Sequence, residues 1–153
     1  MAGAGLEMCG LAGQVNLLGL VPNDLSARLS KAIARLRRRG PDDQKTWQDG
    51  QCAMAFARLA VIDLTAEAAQ PMARHGRVIT FNGEIYNYKA IAKQLDLQTH
   101  TSGDTEVIIE AYAKIGTKSF ELLNGIFAFA IYDTQEDKMV LCRDRSGIKP
   151  LYY

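Results

Sequence analysis

Apolar residues recur at helical spacing in three stretches of the chain, and each predicts a helix. The first begins after Asp24, a possible cap, and stops before the Gly-Pro pair at 40–41. A short helix is predicted at 88–95 and a longer one at 104–115, capped by Thr101 or Ser102. The apolar positions of the long helices are Leu25, Leu29, Ile33 and Leu36, and Val107, Ile108, Ala111, Tyr112 and Ile115.

Short apolar runs bounded by turn residues predict strands between these helices. They lie at 9–17, 51–63, 77–81, 125–133 and 138–144, and a further strand starts at 151–153. The last two full strands flank the polar turn TQED, which is typical of an antiparallel hairpin. The pattern therefore predicts one α+β domain in which helices pack on antiparallel sheets.

Composition favours a small polar ligand over a polyanionic partner. The chain has 153 residues, 48% of them hydrophobic and 23% charged, which is the balance of an ordinary globular domain. Its 18 basic and 17 acidic side chains nearly cancel, so no overall field attracts nucleic acid or an anionic membrane. We therefore expect neither nucleic acid nor membrane as a partner.

The cysteines and the N-terminus indicate a cytoplasmic protein. No apolar run approaches the roughly 20 residues that span a bilayer, and the opening MAGAGLEM lacks the basic and apolar regions of a signal peptide. The three cysteines, Cys9, Cys52 and Cys142, form no CxxC pair, and an odd, widely spaced set argues against disulfides. With only two histidines beside them, a zinc site is not expected.

Seven short motifs, in a particular order, carry the functional argument. They are MCGL at 8–11, RGPD at 39–42, ARLAVID at 57–63, AQP at 69–71, FNGEIYNY at 81–88, SGDTE at 102–106 and RDRSGIKPLYY at 143–153. Together they resemble the glutaminase domain of asparagine synthetase, a class II glutamine amidotransferase. The resemblance implies an N-terminal nucleophile hydrolase fold, which is a four-layer α/β/β/α sandwich with antiparallel sheets.

By this resemblance Cys9 is the nucleophile that attacks the side-chain amide of glutamine. In the family the α-amino group of the same cysteine shuttles the proton, and an unperturbed α-amino group titrates at about pH 7.7–8.0, which suits a base near neutrality. For an arbitrary cysteine, a small buried strand residue is the better interpretation. The neighbouring motifs reverse that preference.

The resemblance assigns the remaining site residues to the oxyanion and to the two charges of glutamine. Asn82 and Gly83 match the pair that stabilises the oxyanion, although Asn-Gly is also an ordinary tight turn. Arg58 matches the residue for the α-carboxylate and Asp104 the one for the α-ammonium, with strand-end and helix-cap roles as alternatives. Glu84 matches a position near the substrate or forms a loop salt bridge.

Arg39 is a further candidate outside this set. It either supports the loop of the nucleophile or is only the last basic residue of its helix.

Both ends of the chain affect the expected activity. Eight residues precede Cys9, so its nitrogen lies in a peptide bond unless a propeptide is cleaved or translation starts at Met8. Residues 1–8 are therefore interpreted as a leader, propeptide or tag, and 9–153 as an amidotransferase domain shorter than the family's at its C-terminus. The alternative is a non-catalytic glutamine-binding or interaction module with a blocked nucleophile.

The resemblance implies no metal or organic cofactor for glutamine hydrolysis. L-Glutamine is the expected substrate, and a synthetase domain or subunit that uses ATP and Mg²⁺ is the expected ammonia acceptor. Its SGGxDS-type phosphate loop does not occur in this sequence. Related enzymes pass ammonia to sugar phosphates or phosphoribosyl pyrophosphate instead, and a homodimer is a further possible assembly.

Overall fold

The computed structural model describes residues 9–16, 24–59, 65 and 67–153. The chain divides into two compact units, Met1–Val61 and Ile62–Tyr153. Each unit contains one sheet and at least one helix, and every strand pair in the described residues is antiparallel. The α+β class predicted from the sequence is confirmed.

The described residues of the first unit form a three-stranded sheet with one helix. It consists of β1 (Gly10–Val15), α1 (Leu25–Arg35), β2 (Asp43–Gln48) and β3 (Cys52–Arg58), with strand order β1-β3-β2. Side chains alternate between the two faces of a strand. The alanines of β3 face the helix and pack against its apolar stripe, in a cluster of Leu25, Leu29, Ile33, Ala53, Ala55 and Ala57. The other β3 side chains, including Arg58, therefore lie on the face away from α1.

The second unit is a four-stranded sheet with two α-helices. Its elements are β4 (Met72–Arg74), β5 (Arg77–Ile85), α2 (Tyr88–Gln94), α3 (Asp104–Ile115), a 3₁₀ helix (Gly116–Leu122), β6 (Gly125–Asp133) and β7 (Lys138–Arg143). The strand order is β4-β5-β6-β7. The core lies between one face of this sheet and the helices, where Phe81, Ile85, Ile108, Ile109 and Phe129 are buried together. Burying each such side chain contributes roughly 1.5–3 kcal/mol.

The predicted helices are confirmed, but their caps differ from the predictions. Asp24 occupies the N-cap of α1 without a side-chain hydrogen bond, and that helix ends at Arg35 rather than at residue 40. Gly103, and neither Thr101 nor Ser102, is the N-cap of α3. Thr101 instead hydrogen-bonds to Glu106 in the first turn of the helix.

The hairpin of β6 and β7 is confirmed, whereas other strand predictions need correction. β2 and β4 were not predicted, because β2 is polar (DQKTWQ) and β4 has only three residues. The strand expected at 151–153 is wrong, since these residues pair with no strand of the described chain. Part of the run predicted at 51–63, and the boundary between residues 1–8 and the domain, lie outside the described residues.

Candidate functional site

Cys9 precedes β1 and is half-buried beside the end of β3. The thiol of Cys9 lies 3.4 Å from the carbonyl oxygen of Leu59, to which it donates. The N–H of Leu59 in turn donates to Sγ at 3.2 Å. The Leu59 N–H can stabilise negative charge on the sulfur, and the Leu59 carbonyl stabilises the protonated thiol, so each form of Cys9 has a partner.

Arg58 lies next to Cys9 by strand register. The pairing of β1 with β3 ends at Gly10 opposite Ala57, and the same register continued by one residue brings Cys9 opposite Arg58. Directly opposite residues share one face of a sheet. Both residues are half-buried, on the face away from α1. The extended register thus places the side chains of Cys9 and Arg58 on one face of the first unit.

The RGPD motif supports this corner of the first unit. The Nε of Arg39 donates a long hydrogen bond, 3.4 Å, to the carbonyl oxygen of Cys9, so Arg39 contacts the segment that carries the predicted nucleophile. A Cβ on Gly40 would lie 2.2 Å from the carbonyl oxygen of Ala57, which no side chain permits. Glycine therefore lets this loop pack against β3 immediately before Arg58.

Asn82 and Gly83 lie in β5, rather than in the tight turn that was the alternative for Asn-Gly. The Asn82 side chain is 7% exposed, on the sheet face opposite that of Phe81 and the core. No residue of the described chain hydrogen-bonds to its side-chain amide, which leaves that group able to donate to a ligand. A Cβ on Gly83, whose φ is +155°, would lie 2.2 Å from the carbonyl oxygen of Ile126.

Asp104 is the first residue of α3, and its side chain reaches back to β5. It is 4% exposed, and its Oδ2 accepts a hydrogen bond of 2.9 Å from the N–H of Ile85. Burial raises the pKa of this carboxyl, and the charge of Glu84 raises it further, against the effect of nearby backbone N–H groups. A buried carboxylate that is costly to ionise gains most from a bound cation.

Glu84 is exposed, on the strand between Gly83 and Ile85. Its negative charge raises the pKa of Asp104, so the two carboxylates lie close enough to interact. No salt bridge of Glu84 occurs within the described residues. The alternative of a salt-bridged loop is therefore not supported there.

The six predicted site residues fall into two groups. Cys9 and Arg58 adjoin in the first unit, and Asn82, Gly83, Glu84 and Asp104 adjoin in the second. The first group carries the thiol and the positive charge, and the second the amide, the strand glycine and the negative charges. The catalytic and binding roles of these six residues stay predictions.

Two buried polar residues beside the second group were not assigned a role from the sequence. Gln70 is 8% exposed, accepts a hydrogen bond of 2.6 Å from the N–H of Phe81 and donates one of 3.2 Å to Oγ1 of Thr105. Glu106 is fully buried and accepts hydrogen bonds from His100, Thr101 and Arg74. Their presence in the AQP and SGDTE motifs was the only sequence signal.

Burial dominates the environment of the other two cysteines, although the Cys142 thiol also receives a backbone N–H, that of Arg143. Burial raises the pKa of Cys52 to about 12, with Asp49 adding to the effect. Burial also raises the pKa of Cys142. Both thiols therefore stay protonated near neutral pH, as expected of core residues.

Comparison with known proteins decides the family. The model of the glutamine amidotransferase domain matches residues 8–153. The chain belongs to this family. It is therefore an enzyme domain of the glutamine amidotransferase type, and glutamine is the substrate that the family implies.

The amidotransferase domain is similar over 95% of its length to several asparagine synthetases. Identity is 37% to asparagine synthetase [glutamine-hydrolyzing] 2 of Bacillus subtilis and 38% to asparagine synthetase [glutamine-hydrolyzing] 3 of Arabidopsis thaliana. It is 33% to a putative asparagine synthetase [glutamine-hydrolyzing] 2 of Methanocaldococcus jannaschii. The domain spans 20%, 25% and 32% of these three relatives, respectively.

A solved structure supports the fold assignment. The glutamine phosphoribosylpyrophosphate amidotransferase of B. subtilis, solved with ADP and GMP, superimposes with a TM-score of 0.56 and 25% identity. The match covers 67% of this chain and 25% of that one. Together with the antiparallel sheets, it confirms the predicted N-terminal nucleophile hydrolase class.

The described residues offer neither a metal-binding cluster nor a membrane-spanning helix. No group of three or more His, Cys, Asp or Glu residues there could hold a metal ion. No helix in the same part of the chain is both long and apolar enough to cross a membrane.

Proposed function

We propose that this domain hydrolyses L-glutamine to glutamate and ammonia through a γ-glutamyl thioester on Cys9. The observation that carries the proposal is the environment of Cys9, whose sulfur receives the Leu59 N–H at 3.2 Å beside Arg58. The family match over residues 8–153 supplies the reaction class.

The reaction begins with attack of the Cys9 sulfur on the amide carbon of glutamine. The thiol proton passes to the Cys9 α-amino group as a carbon–sulfur bond forms, and the carbonyl oxygen becomes an oxyanion that the Asn82 side-chain amide and the Gly83 N–H stabilise. Removing one such donor typically costs about 2.7–4 kcal/mol of transition-state stabilisation. The tetrahedral intermediate then collapses, the carbon–nitrogen bond breaks and ammonia leaves with a proton from the Cys9 α-amino group.

Water completes the reaction by attacking the thioester. The carbon–sulfur bond breaks, glutamate is released and the proton returns to sulfur through the same amine. No metal or organic cofactor takes part, so a chelator should leave ammonia release unchanged. The amine must be free, which requires Cys9 to be the first residue of the active protein.

Charge complementarity orients the substrate. Arg58 binds the α-carboxylate of glutamine through its planar guanidinium, and Asp104 binds the α-ammonium. Burial disfavours the charged form of Asp104 and raises its pKa, so a bound cation stabilises this carboxylate. In the larger protein, the ammonia passes to a synthetase domain that makes asparagine, as the names of the relatives suggest. The family resemblance implies that this domain uses ATP and Mg²⁺.

The test is ammonia release from L-glutamine by a version of the chain that starts at Met8. Intact mass first establishes that the initiator methionine has been removed and Cys9 is terminal. Cys9→Ala should abolish release, whereas Cys142→Ala, the matched control on the half-buried thiol of β7, should keep it. Absence of release from a folded protein with a free Cys9 would instead favour the non-catalytic glutamine-binding or interaction module.

A further inference from the structure

The side chain of Gln70 lies between the two segments of the second unit that carry the proposed oxyanion and ammonium contacts. Its Oε1 accepts from the N–H of Phe81, the residue before Asn82, at 2.6 Å. Its Nε2 donates to Oγ1 of Thr105, the residue after Asp104, at 3.2 Å. One amide therefore connects β5 to the start of α3.

A second connection joins the same two segments four residues further along β5. The N–H of Ile85 donates to Oδ2 of Asp104 at 2.9 Å. Asn82, Gly83 and Glu84 lie between the two connections. Their distance from Asp104 is thus fixed at both ends of the stretch, by Gln70 at one end and by Asp104 itself at the other.

The chemistry of Gln70 suits this double contact. An amide offers an acceptor and a donor on one planar group, so a single side chain can serve a backbone N–H and a hydroxyl together. Gln70 is 8% exposed and Thr105 is 7% exposed, so water competes little for either bond. Buried polar groups joined in this way restrict a structure to one arrangement.

We propose that Gln70 is a positioning residue that sets the oxyanion contacts of Asn82 and Gly83 relative to the ammonium contact of Asp104. This inference rests on the proposed function. Gln70 itself touches no reacting atom. Its effect is selectivity, because it makes the fast reaction depend on a substrate whose α-ammonium and side-chain amide are a fixed distance apart.

The test compares two substrates, with Gln70→Leu as the main variant. L-Glutamine engages Asp104 through its α-ammonium, whereas glutaramate, the same chain without the amino group, does not. The kcat/KM for each is measured in the parent that begins at Cys9, in Gln70→Leu and in Gln94→Leu. The last makes the same change at an exposed helix position of the same unit.

We expect Gln70→Leu to lower the ratio of kcat/KM for glutamine over glutaramate about tenfold, since small misplacements of reacting groups have effects of this order or larger. Gln94→Leu should leave the ratio unchanged. An equal loss on both substrates would overturn the proposal and leave Gln70 with a purely structural role. A parent without Cys9-dependent hydrolysis would overturn the proposed function itself.

A second pair of variants keeps the test decisive if Gln70→Leu fails to fold. Thr105→Val removes the hydroxyl that accepts from Gln70, and Thr105→Ser retains it. We expect the valine variant to reproduce the lowered ratio and the serine variant to restore the parent value. Equal ratios for valine and serine would contradict the proposal.

Discussion

Two carboxylates in the first turn of α3 lie in opposite environments, although only one residue separates them. The carboxylate of Glu106 accepts four hydrogen bonds from described residues. Its Oε2 accepts from the N–H of His100, from the N–H of Thr101 and from Oγ1 of Thr101, and its Oε1 from Nε of Arg74. The Arg74 contact, at 3.3 Å, is also an ion pair.

Around Asp104 there are backbone N–H groups but no cationic side chain among the described residues that pair with it, and Glu84 adds negative charge. Burial tends to raise the pKa of both carboxyl groups. At Glu106 the hydrogen bonds from Thr101, His100 and Arg74 reverse the effect and lower the pKa, whereas at Asp104 the pKa stays raised.

The difference separates a structural carboxylate from one suited to a ligand. Glu106 is satisfied by the protein itself and fixes the loop at residues 100–103 that leads into α3. Burial disfavours the charged form of Asp104, and the hydrogen bonds from described backbone N–H groups offset this effect only in part. A site that must bind an ammonium group needs such an incompletely compensated charge, and stability is commonly sacrificed for it.

Among the substitutions that distinguish Asp104 from Glu106, we expect Asp104→Asn to have the largest effect, which is a loss of catalysis. Losing one partner of a buried charged pair costs about 2–5 kcal/mol in binding, so kcat/KM for L-glutamine should fall on the order of a hundredfold to a thousandfold. The free energy of unfolding should not fall, because the substitution removes a buried charge. Steady-state kinetics and urea denaturation of the same preparation measure both quantities.

A variant that lost stability and activity in parallel would place Asp104 with Glu106 as a structural residue. Asp96→Asn, the same substitution on an exposed residue of the second unit, is the matched control and should change neither quantity.

Glu106→Gln should have the opposite signature. It removes the charge that Arg74 pairs with and places an NH₂ group near donors that need an acceptor, so the free energy of unfolding should fall by about 3 kcal/mol. Urea denaturation measures the loss. Glu110→Gln, one turn later and partly exposed, is the control and should cost less than about 1 kcal/mol.

An unchanged free energy of unfolding in Glu106→Gln would show that the hydrogen bonds to the Glu106 carboxylate contribute little to stability.

The pH dependence of stability should differ in sign between the two groups. The folded state holds the proton of Asp104 more tightly than the unfolded chain, so its contribution falls as pH rises from about 4 through the raised pKa. The folded state holds the proton of Glu106 less tightly than the unfolded chain does. Its contribution is present above about pH 4.3 and is lost as pH falls through the lowered pKa.

Urea denaturation across this range, with Asp104→Asn and Glu106→Gln beside the parent, isolates each contribution. Each variant should lack one slope and retain the other. Identical profiles for the two variants would remove the distinction between the carboxylates.

Glu84→Gln should produce the smallest change. The exposed Glu84 charge raises the pKa of Asp104, so removing it should lower that pKa, and solvent screening should keep the change small. The carboxyl carbon of Asp104, followed by NMR during an acid titration, reports the shift directly. Glu121→Gln, on an exposed residue of the 3₁₀ helix, is the control, and an equal shift there would exclude a local effect of Glu84.

The fold was predictable where local pattern decides structure. The apolar stripe of α3 and the paired runs of β6 and β7 carry a clear period, and both appear at the predicted positions. β2 carries no such signal, because a polar strand at a sheet edge gains its stability from hydrogen bonds to β3. The prediction of a strand at 151–153 was wrong for a related reason. A strand needs a neighbouring strand to hydrogen-bond to, and these residues pair with none in the described chain.

The site was predictable only as a set of residues recognised by resemblance. Motif order selected Cys9, Arg58, Asn82, Gly83, Glu84 and Asp104, and register and packing then grouped them within their units. The functions of Gln70 and Glu106 depend on which groups β5 and α3 bring within hydrogen-bonding distance. No local pattern encodes that proximity, so both residues were missed despite lying within the recognised motifs.

Covalent labelling shows whether Cys9 is the nucleophile. A diazoketone analogue of L-glutamine would be incubated with the version that starts at Cys9, and the labelled residue located by peptide mass spectrometry. We expect a single label on Cys9, slowed by excess L-glutamine and weakened in Asp104→Asn. A label on Cys52 or Cys142, or no label on a folded protein with Cys9 terminal, would contradict it.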